Sequence, residues 1–234
     1  MNVMRTELKP QKGRHLPPSA GAAEIPSGGI LDWSSPRTGA EMSEREPQPA
    51  SADETRAAWK HDDQVIAVDE DDNELGLVSR TEAHGHDNIM HRAFMTLLID
   101  DDGRLLLCRR SAHKRLWPVI WADSCAGHPL PGEDTQAAAE RRLTEELGCS
   151  APLTHVGRFV YRTEWGGAGF EHELCHVFVG RLCDVKPDPA EVAELGLFAL
   201  GDLALEILEC PDDFAPWLIE CLQALPPSAF ALPR

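Results

Sequence analysis

The segment from Asp123 to Gly148, which reads DSCAGHPLPGEDTQAAAERRLTEELG, constrains the fold more than any other part of the chain. Its second half predicts a helix, because Asp134 or Thr135 can cap the N-terminus and three consecutive alanines favour helical backbone. Gly148 is typical of a residue that ends a helix. The glycines and prolines before the helix favour a loop, so a loop must lead directly into a capped helix.

Segments rich in apolar residues lie on both sides of this helix and predict strands. The acidic turn EDDNE and the pair Asp102-Gly103 each separate two such segments, which predicts two hairpins. Strands dominate, so we expect an α+β fold with a mixed sheet. The predicted strands are QVIAVD, LGLVS, MHRAFMTLLID, RLLLCRR, VIWADSCA, LTHVGRFVYRTEW and HELCHVFVGRLC, and the predicted closing helices are LGDLALEILE and DDFAPWLIECLQAL.

The chain of 234 residues divides near residue 60. Residues 1–60 are rich in Pro, Gly, Ser, Ala and Glu without sustained periodicity, which predicts a disordered tail. Residues 61–234 predict a single domain. Because Met42 lies just upstream of that domain, an over-extended start is an alternative interpretation of the tail.

The formal net charge of −17 argues against a protein that binds nucleic acid or anionic membranes. Positive charge that binds an anionic ligand must therefore be local. We expect neither a secretory signal nor a membrane span, because no apolar run is long enough. The seven cysteines form no CxxC pair, and their odd number predicts reduced thiols in the cytoplasm.

A set of histidines and glutamates predicts a metal site. Glu171 and Glu173 lie two residues apart on a predicted strand, so both carboxylates point to one side and His172 to the other. Together with three histidines they would form an octahedral-type site suited to Mn²⁺ or Mg²⁺ and able to bind Zn²⁺. Each histidine alone is more often a surface or core residue. The candidate ligands are His84, His91 and His128, whereas His86, His113, His155 and His176 are given no such role.

Charged residues follow one face of the predicted central helix. Arg142, Glu145 and Glu146 lie at positions i, i+3 and i+4, so their side chains gather together. A carboxylate cluster there can hold Mg²⁺, and Mg²⁺ can bind a diphosphate. A solvated charged helix is the alternative interpretation, but the spacing of residues outside the helix favours the metal site.

That spacing resembles the Nudix box, G-x5-E-x7-R-E-U-x-E-E-x-G-U, where U is apolar. Gly127, Glu133 and Arg141 take its first three fixed positions. Arg142 stands where glutamate is usual, and Cys149 takes the last apolar position. The resemblance implies a Nudix-type mixed β-sheet sandwiched by helices, with the first hairpin as an N-terminal extension.

From about Val65 to Leu225 the chain resembles the type 1 isopentenyl-diphosphate isomerases, a branch of the Nudix superfamily. Matching segments include LLLCRRSAHKRLWPVIW, GHPLPGE, FVYR and FAPW. The resemblance implies an enzyme of isoprenoid biosynthesis that converts isopentenyl to dimethylallyl diphosphate. We expect a cytoplasmic monomer or weak dimer whose partner is a small-molecule isoprenyl diphosphate, with no nucleic acid or membrane bound.

The same resemblance assigns roles to individual residues. Glu146 would help to hold a second metal, Mg²⁺, on the substrate diphosphate, and Glu173 would be both a ligand and the proton carrier. Arg80 stands where lysine is common, which keeps the charge and changes the geometry. The implied metal ligands are His84, His91, His128, Glu171 and Glu173. The implied substrate-binding residues are Arg80, Arg110, Lys114, Arg142 and Trp217, with Tyr161 beside the hydrocarbon end.

The implied reaction protonates an unactivated alkene and removes a different proton, so an acid and a base must flank the five-carbon unit. In the family, the second such group is usually a cysteine immediately before the Gly/Ser-His-Pro triplet. Here Ala126 takes that place and Cys125 lies one residue earlier. A one-residue shift on a strand turns a side chain to the opposite face, so Cys125 is interpreted as a small buried apolar residue. It stays a catalytic candidate, because irregular backbone before the loop could redirect the thiol.

Three functions follow from these observations. The first is an isopentenyl-diphosphate isomerase that is slower or uses a substitute group such as Cys125 or water. The second is a Nudix diphosphohydrolase, which Glu145 supports because it completes the glutamate pair of the hydrolases. The third is a non-catalytic binder of isoprenyl diphosphates or of a partner protein, against which the metal-ligand pattern argues.

Overall fold

The computed structural model describes residues 31–32, 64–85 and 88–232, the first pair by its backbone only. The strands are β1 (Leu31–Asp32), β2 (Gln64–Val68), β3 (Glu74–Ser79), β4 (His91–Ile99), β5 (Leu105–Arg110), β6 (Trp121–Ala122), β7 (Cys125–Gly127), β8 (Leu153–Trp165), β9 (Gly169–Arg181) and β10 (Val192–Phe198). The helices are α1 (Arg80–Ala83), α2 (Thr135–Leu147), α3 (Leu200–Glu209) and α4 (Pro216–Ala224), with 3₁₀ turns at Pro211–Asp213 and Pro227–Phe230.

Strand β4 lies at the centre of a mixed sheet. One edge of β4 pairs in parallel with β9 along its whole length, starting from His91 opposite Glu173. Its other edge pairs with β2, β7 and β5 in succession, always antiparallel. Strand β8 extends the sheet beyond β9, and β10 extends it beyond β5. The hairpin of β2 and β3 closes one end.

Helices cover both faces of this sheet. Alternate residues of β4 divide between two apolar clusters, because successive side chains on a strand point to opposite faces. Met95 belongs to the cluster that includes Leu203 of α3 and Trp217 of α4, which we call the first cluster. Phe94 belongs to the cluster that includes Leu143 of α2, which we call the second cluster. Both faces of β4 are therefore buried.

Several predictions from the sequence are confirmed here. Both predicted hairpins form, and the α+β fold with a mixed sheet between helices is the observed one. Helix α2 begins after Asp134, whose carboxylate accepts hydrogen bonds from the backbone N–H groups of Gln136 and Ala137. It ends at Gly148, which has φ of 60° in the left-handed region that glycine tolerates. None of the helices described has the length and apolar character needed to cross a membrane.

The predicted division at residue 60 stays a prediction, because most of residues 1–60 lie outside the described part of the chain. Within that segment the structure describes the backbone of β1, which pairs in parallel with β10. His86 also lies outside the described residues.

The predicted single strand VIWADSCA was wrong, because the chain forms two short strands there. Strand β6 pairs with β5, and β7 pairs with β4, so the chain changes partner at Asp123 and Ser124. The buried Ser124 hydroxyl accepts a hydrogen bond from Leu98 N–H at 2.8 Å and donates one to the Leu106 carbonyl at 2.6 Å. This side chain connects β4 with β5 where the two strands separate.

Two further differences concern the C-terminal third. Strand β10 was not predicted, and it pairs with β5 over most of its length. The last predicted helix was too long, because α4 begins at Pro216 after a separate 3₁₀ turn. Proline is favoured in the first turn of a helix, where its missing N–H costs no hydrogen bond. Phe214 meanwhile forms an isolated bridge with Trp121.

Ser124 and Thr96 both carry buried hydroxyls, but removal of the two hydroxyls should affect stability differently. Ser124→Ala should lower the free energy of unfolding by about 2 kcal/mol, because Leu98 N–H and Leu106 C=O lose their partner. Thr96→Val should leave that free energy unchanged or raise it by about 1 kcal/mol, because Thr96 Oγ1 has no hydrogen-bond partner within residues 64–85 and 88–232. Urea denaturation measures both values, and equal losses in the two variants would contradict this account.

Candidate active site

Five histidine and glutamate side chains converge where β4, β7 and β9 meet α1. One ligand atom of each lies within 4.8 Å of the corresponding atom of every other. Four of the five side chains are buried. The members are His84, His91, His128, Glu171 and Glu173, and we call them the His/Glu cluster.

Direct contacts hold the cluster together. His84 Nε2 lies 2.9 Å from Glu171 Oε2, and His128 Nε2 lies 3.0 Å from Glu173 Oε1. The Nε2 atoms of His91 and His128 are 3.2 Å apart. These buried polar side chains therefore satisfy one another's hydrogen-bonding groups within one small volume of an otherwise apolar interior.

The local fold explains why these side chains converge. A capping box between Ser79 and Glu82 starts the short helix α1, and His84 follows its last residue. The parallel register of β4 and β9 sets His91 opposite Glu173. Glu171 shares the Glu173 side of β9, as the two-residue period of a strand requires. His172, between them, instead contacts the carbonyl of Asn88.

Two imidazoles are oriented by the backbone. Nδ1 of His84 lies 2.8 Å from the Arg80 carbonyl, and Nδ1 of His91 lies 2.8 Å from the Ile89 carbonyl. A carbonyl oxygen only accepts hydrogen bonds, so each Nδ1 carries a proton and each Nε2 faces the cluster. This is the arrangement of outer hydrogen bonds that metal-binding histidines ordinarily make.

The electrostatics favour the protonation states of metal ligands. Burial lowers the pKa of His128 to about 3, although Glu173 opposes that change, so its imidazole is neutral at pH 7. Burial also raises the pKa of Glu173, but hydrogen bonds with His128 and His91 more than offset it and hold the pKa well below its ordinary value. Burial lowers the pKa of His84, but the Glu171 carboxylate more than offsets this and raises it overall. His128 thus offers a neutral nitrogen and Glu173 an ionised carboxylate, which are donors that can hold a divalent metal ion.

Glu173 connects this cluster to a group of buried aromatic rings, which we call the aromatic wall. Its Oε2 accepts a hydrogen bond of 2.6 Å from the Tyr161 hydroxyl, and both groups are buried. Burial and the Glu173 charge raise the pKa of Tyr161 well above its ordinary value, so the phenol keeps its proton. The centre of the Tyr161 ring lies 6.5 Å from that of Trp217, and the Trp217 ring lies nearly perpendicular to that of Trp117, with 5.4 Å between their centres. Ala126 packs against the same first cluster.

Cys125 lies on the other side of β7. Cys125 pairs with Thr96 and Ala126 with Met95, so the two neighbours point to opposite faces of the sheet. Cys125 is 2% exposed and belongs to the second cluster, with α2. Burial raises its pKa well above the ordinary value of a thiol. The structure therefore does not bring Cys125 to the His/Glu cluster.

Two of the four cations predicted to bind substrate, Lys114 and Arg142, lie beside one further carboxylate, that of Glu191. Arg142 forms ion pairs with Glu145 at 2.7 Å and with Glu146. Arg142 Nη2 also lies 3.4 Å from Glu191 Oε1, and Glu191 forms an ion pair with Lys114. Burial raises the pKa of Glu191, but Lys114 and Arg142 more than offset this and lower it overall.

Arg110 has a different environment. It donates hydrogen bonds to the carbonyls of Trp117 and Leu116, at 2.9 and 3.0 Å. Its guanidinium carbon lies 5.2 Å above the centre of the Trp217 ring. Arg80 lies at the start of α1, one turn before His84. The anion-binding candidates thus extend from the His/Glu cluster to the aromatic wall and the α2 carboxylates.

Two residues of the Nudix box, Glu133 and Arg141, connect the loop before α2 to the helix. Arg141 donates two hydrogen bonds to Glu133, at 2.8 and 2.9 Å, and Glu133 also accepts one from the Leu130 N–H. This bidentate pair ties the loop that follows His128 to helix α2.

Two acidic residues of this region, Asp123 and Glu191, were not predicted from the sequence. Glu191 follows a Pro-rich turn and carries no motif of its own. Asp123 is 3% exposed and accepts a hydrogen bond of 2.7 Å from the Trp217 indole N–H. The position of Asp123 within the apolar run VIWADSCA could have indicated a buried polar contact, because buried aspartates are rare without a partner.

Comparisons with known proteins agree with this geometry. The NUDIX domain family model matches residues 89–218. An isopentenyl-diphosphate Delta-isomerase of Nocardia farcinica is 44% identical over 161 residues, which cover 68% of this chain and 92% of that protein. One of Frankia alni is 38% identical over 174 residues, or 73% and 90% of the two chains. The chain belongs to the isopentenyl-diphosphate Delta-isomerase family, within the Nudix proteins.

Solved structures support the fold in the same way. A crystal structure of a Deinococcus radiodurans protein superimposes with a TM-score of 0.58 at 20% sequence identity. The superposition covers 69% of this chain and 98% of the Deinococcus radiodurans chain. The family and the Nudix fold predicted from the sequence are therefore confirmed.

Removal of one cluster histidine should abolish tight metal binding. His91→Ala should weaken Mn²⁺ binding by about 100-fold or more, because a buried ligand and its oriented lone pair are lost. His172→Ala is the matched control, since that ring lies on the opposite side of β9, and it should bind Mn²⁺ as the parent chain does. Equilibrium dialysis with metal analysis measures both. Similar affinities in the two variants would refute the proposed ligand set.

Proposed function

We propose that the protein converts isopentenyl diphosphate to dimethylallyl diphosphate. One observation carries this proposal: the Glu173 carboxylate is shared between the His/Glu cluster and the Tyr161 phenol, at the wall that contains Trp217. Glu173 would carry the proton, because it lies between a site for a metal ion and the aromatic rings that would contact a hydrocarbon. The name shared by the relatives in Nocardia farcinica and Frankia alni supports the same activity.

The His/Glu cluster would hold Mn²⁺, Zn²⁺ or Mg²⁺ through its three imidazoles and two carboxylates. Three nitrogens and two carboxylate oxygens fit this group of ions, and the outer hydrogen bonds of His84 and His91 fix the rings. When bound, the ion would compensate the negative charge of the two glutamates. Glu146 would help to hold Mg²⁺ on the substrate diphosphate.

The substrate would bind by its two ends. Arg80, Arg110, Lys114 and Arg142 would contact the diphosphate, and Tyr161 and Trp217 would line the hydrocarbon end. The diphosphate is not broken in an isomerisation, so these cations would anchor and orient the substrate. Because the chain carries a net charge of −17, this local group of cations is what makes anion binding possible.

The chemistry needs proton transfer at two carbons. Protonation of the terminal alkene carbon gives a tertiary carbocation, and loss of a proton from the neighbouring CH₂ gives the product. Glu173 would carry a proton, with Tyr161 holding its carboxylate in place. The faces of Trp217 and Tyr161 would stabilise the positive charge and exclude water. Ala126, whose methyl can neither give nor take a proton, lies where the family usually has its second such group.

That alanine is the observation that favours a second candidate. A chain with one proton carrier could bind isoprenyl diphosphates without turnover, or could hydrolyse a diphosphate as Nudix hydrolases do. Hydrolysis would draw on Glu145, which in this structure forms ion pairs with Arg141 and Arg142.

A direct assay separates these functions. We expect the protein, supplied with Mg²⁺ and Mn²⁺, to form dimethylallyl diphosphate from isopentenyl diphosphate without releasing phosphate. Release of phosphate would establish hydrolysis instead, and tight binding without either product would establish a binder.

Restoring a thiol at position 126 should increase turnover. Ala126→Cys should raise kcat by about 10²–10⁴-fold, the usual contribution of a positioned acid/base group. Cys125→Ala should change kcat little, because Cys125 packs in the second cluster. Loss of turnover in Cys125→Ala, with no gain in Ala126→Cys, would identify Cys125 as the working thiol.

A further inference from the structure

Asp123 is a buried carboxyl group to which the proposed reaction gives no part. It lies between β6 and β7, is 3% exposed, and its Oδ1 accepts the Trp217 indole N–H at 2.7 Å. Trp217 is itself 5% exposed. The hydrogen bond is therefore shielded from water at both ends.

The Trp217 ring has charged neighbours in two directions. Asp123 contacts its N–H edge, and the Arg110 guanidinium lies 5.2 Å above its centre. Arg110 is fixed in turn by the carbonyls of Leu116 and Trp117. The indole is thus held at the junction of the predicted hydrocarbon and diphosphate ends of the site.

A carboxylate is more than this hydrogen bond requires. An asparagine amide has the same shape and an oxygen that accepts the same N–H, without the cost of burying an ionisable group. Burial raises the pKa of Asp123 to about 6, although Trp217 and Arg110 oppose it, so the group is ionised at pH 8. The titratable and charged groups whose electrostatic effects reach Asp123 are Arg110 and Cys108 of β5, Cys125 of β7, Glu146 of α2, Cys175 of β9 and Cys221 of α4.

The charge has a consequence for the ring. An N–H that donates to a carboxylate forms a stronger hydrogen bond than one that donates to a neutral oxygen, and the indole becomes more electron-rich. Cations are attracted to the negative face of an aromatic ring, and Trp gives the strongest attraction. A carbocation beside Trp217 would therefore be stabilised more by Asp123 than by a neutral acceptor.

We propose that Asp123 is a positioning residue whose carboxylate fixes the Trp217 indole and increases its attraction for the positively charged intermediate. This inference rests on the proposed isomerase function, because it assigns the indole to that intermediate. Asp123 acts through Trp217 and does not itself touch the substrate.

The test compares a charged with a neutral ligand. 2-(Dimethylamino)ethyl diphosphate carries an ammonium group where the carbocation would form, whereas 3-methylbutyl diphosphate has the same shape, is neutral there and has no alkene to isomerise. Asp123→Asn should weaken binding of the ammonium compound by about tenfold and change binding of 3-methylbutyl diphosphate by less than about twofold. Calorimetry measures both. Equal changes for the two ligands, or none for either, would overturn the proposal.

A double variant tests whether the effect passes through the indole. In a Trp217→Phe background, which has no N–H to donate, Asp123→Asn should no longer affect binding of the ammonium compound. A persisting tenfold effect would show that Asp123 acts directly and would overturn the positioning role. Glu194→Gln, which removes a partly exposed carboxylate paired with Arg109, is the matched loss of one charge and should bind both ligands as the parent chain does.

Stability separates this role from a merely structural one. Because the folded-state pKa of Asp123 is raised from 3.8 to about 6, its contribution to stability is present below pH 3.8 and lost as the pH rises through about 6. At pH 8, Asp123→Asn should therefore have an equal or higher Tm, while kcat falls by about tenfold with KM nearly unchanged. A lower Tm accompanied by unchanged kcat would show a structural role and overturn the proposal.

Failure of the proposed function would look different. A parent chain that forms no dimethylallyl diphosphate would end the isomerase assignment, whatever Asp123 does. The comparison of the two ligands still decides whether Asp123 increases the attraction of Trp217 for a cation, because it measures binding without turnover.

Discussion

The parallel pairing of β4 with β9 is the constraint on which the rest of the structure depends. Its first pair sets His91 beside Glu173, and the pairs that follow are mostly apolar and buried on both faces of the sheet. A shift of one residue would turn Glu173 away from the cluster and bring His172 into its place. The long apolar part of the ladder thus determines the register, and the polar site at its end depends on that register.

Local signals in the sequence were sufficient for much of this fold. The caps of α2 and the two hairpin turns depend on residues close together in the chain, so their chemistry can be recognised without tertiary contacts. The pairing of Glu171 with Glu173 on one side of a strand is equally local. The family resemblance then supplied the distant members of the His/Glu cluster, which spacing alone could not bring together.

The features that were missed depend on contacts distant in sequence. The break between β6 and β7 follows from the separation of β4 and β5, which Ser124 bridges. Strand β10 pairs with β5, whose residues lie about 80 to 95 positions earlier in the chain. Asp123 and Glu191 gain their significance from partners about 50 to 95 residues away, as in the ion pair with Arg142. Neither hydrophobic periodicity nor motif spacing predicts contacts between residues so far apart in the chain.

Glu191 gives the free protein a property that bears on selectivity among anions. Its carboxylate already pairs with Lys114 and Arg142, which reduces the repulsion between these two cations. An incoming anion competes with that internal carboxylate for the same cations, so a singly charged ligand gains little by the exchange and a multiply charged one gains more. The internal ion pairs therefore favour a diphosphate over a simple carboxylate.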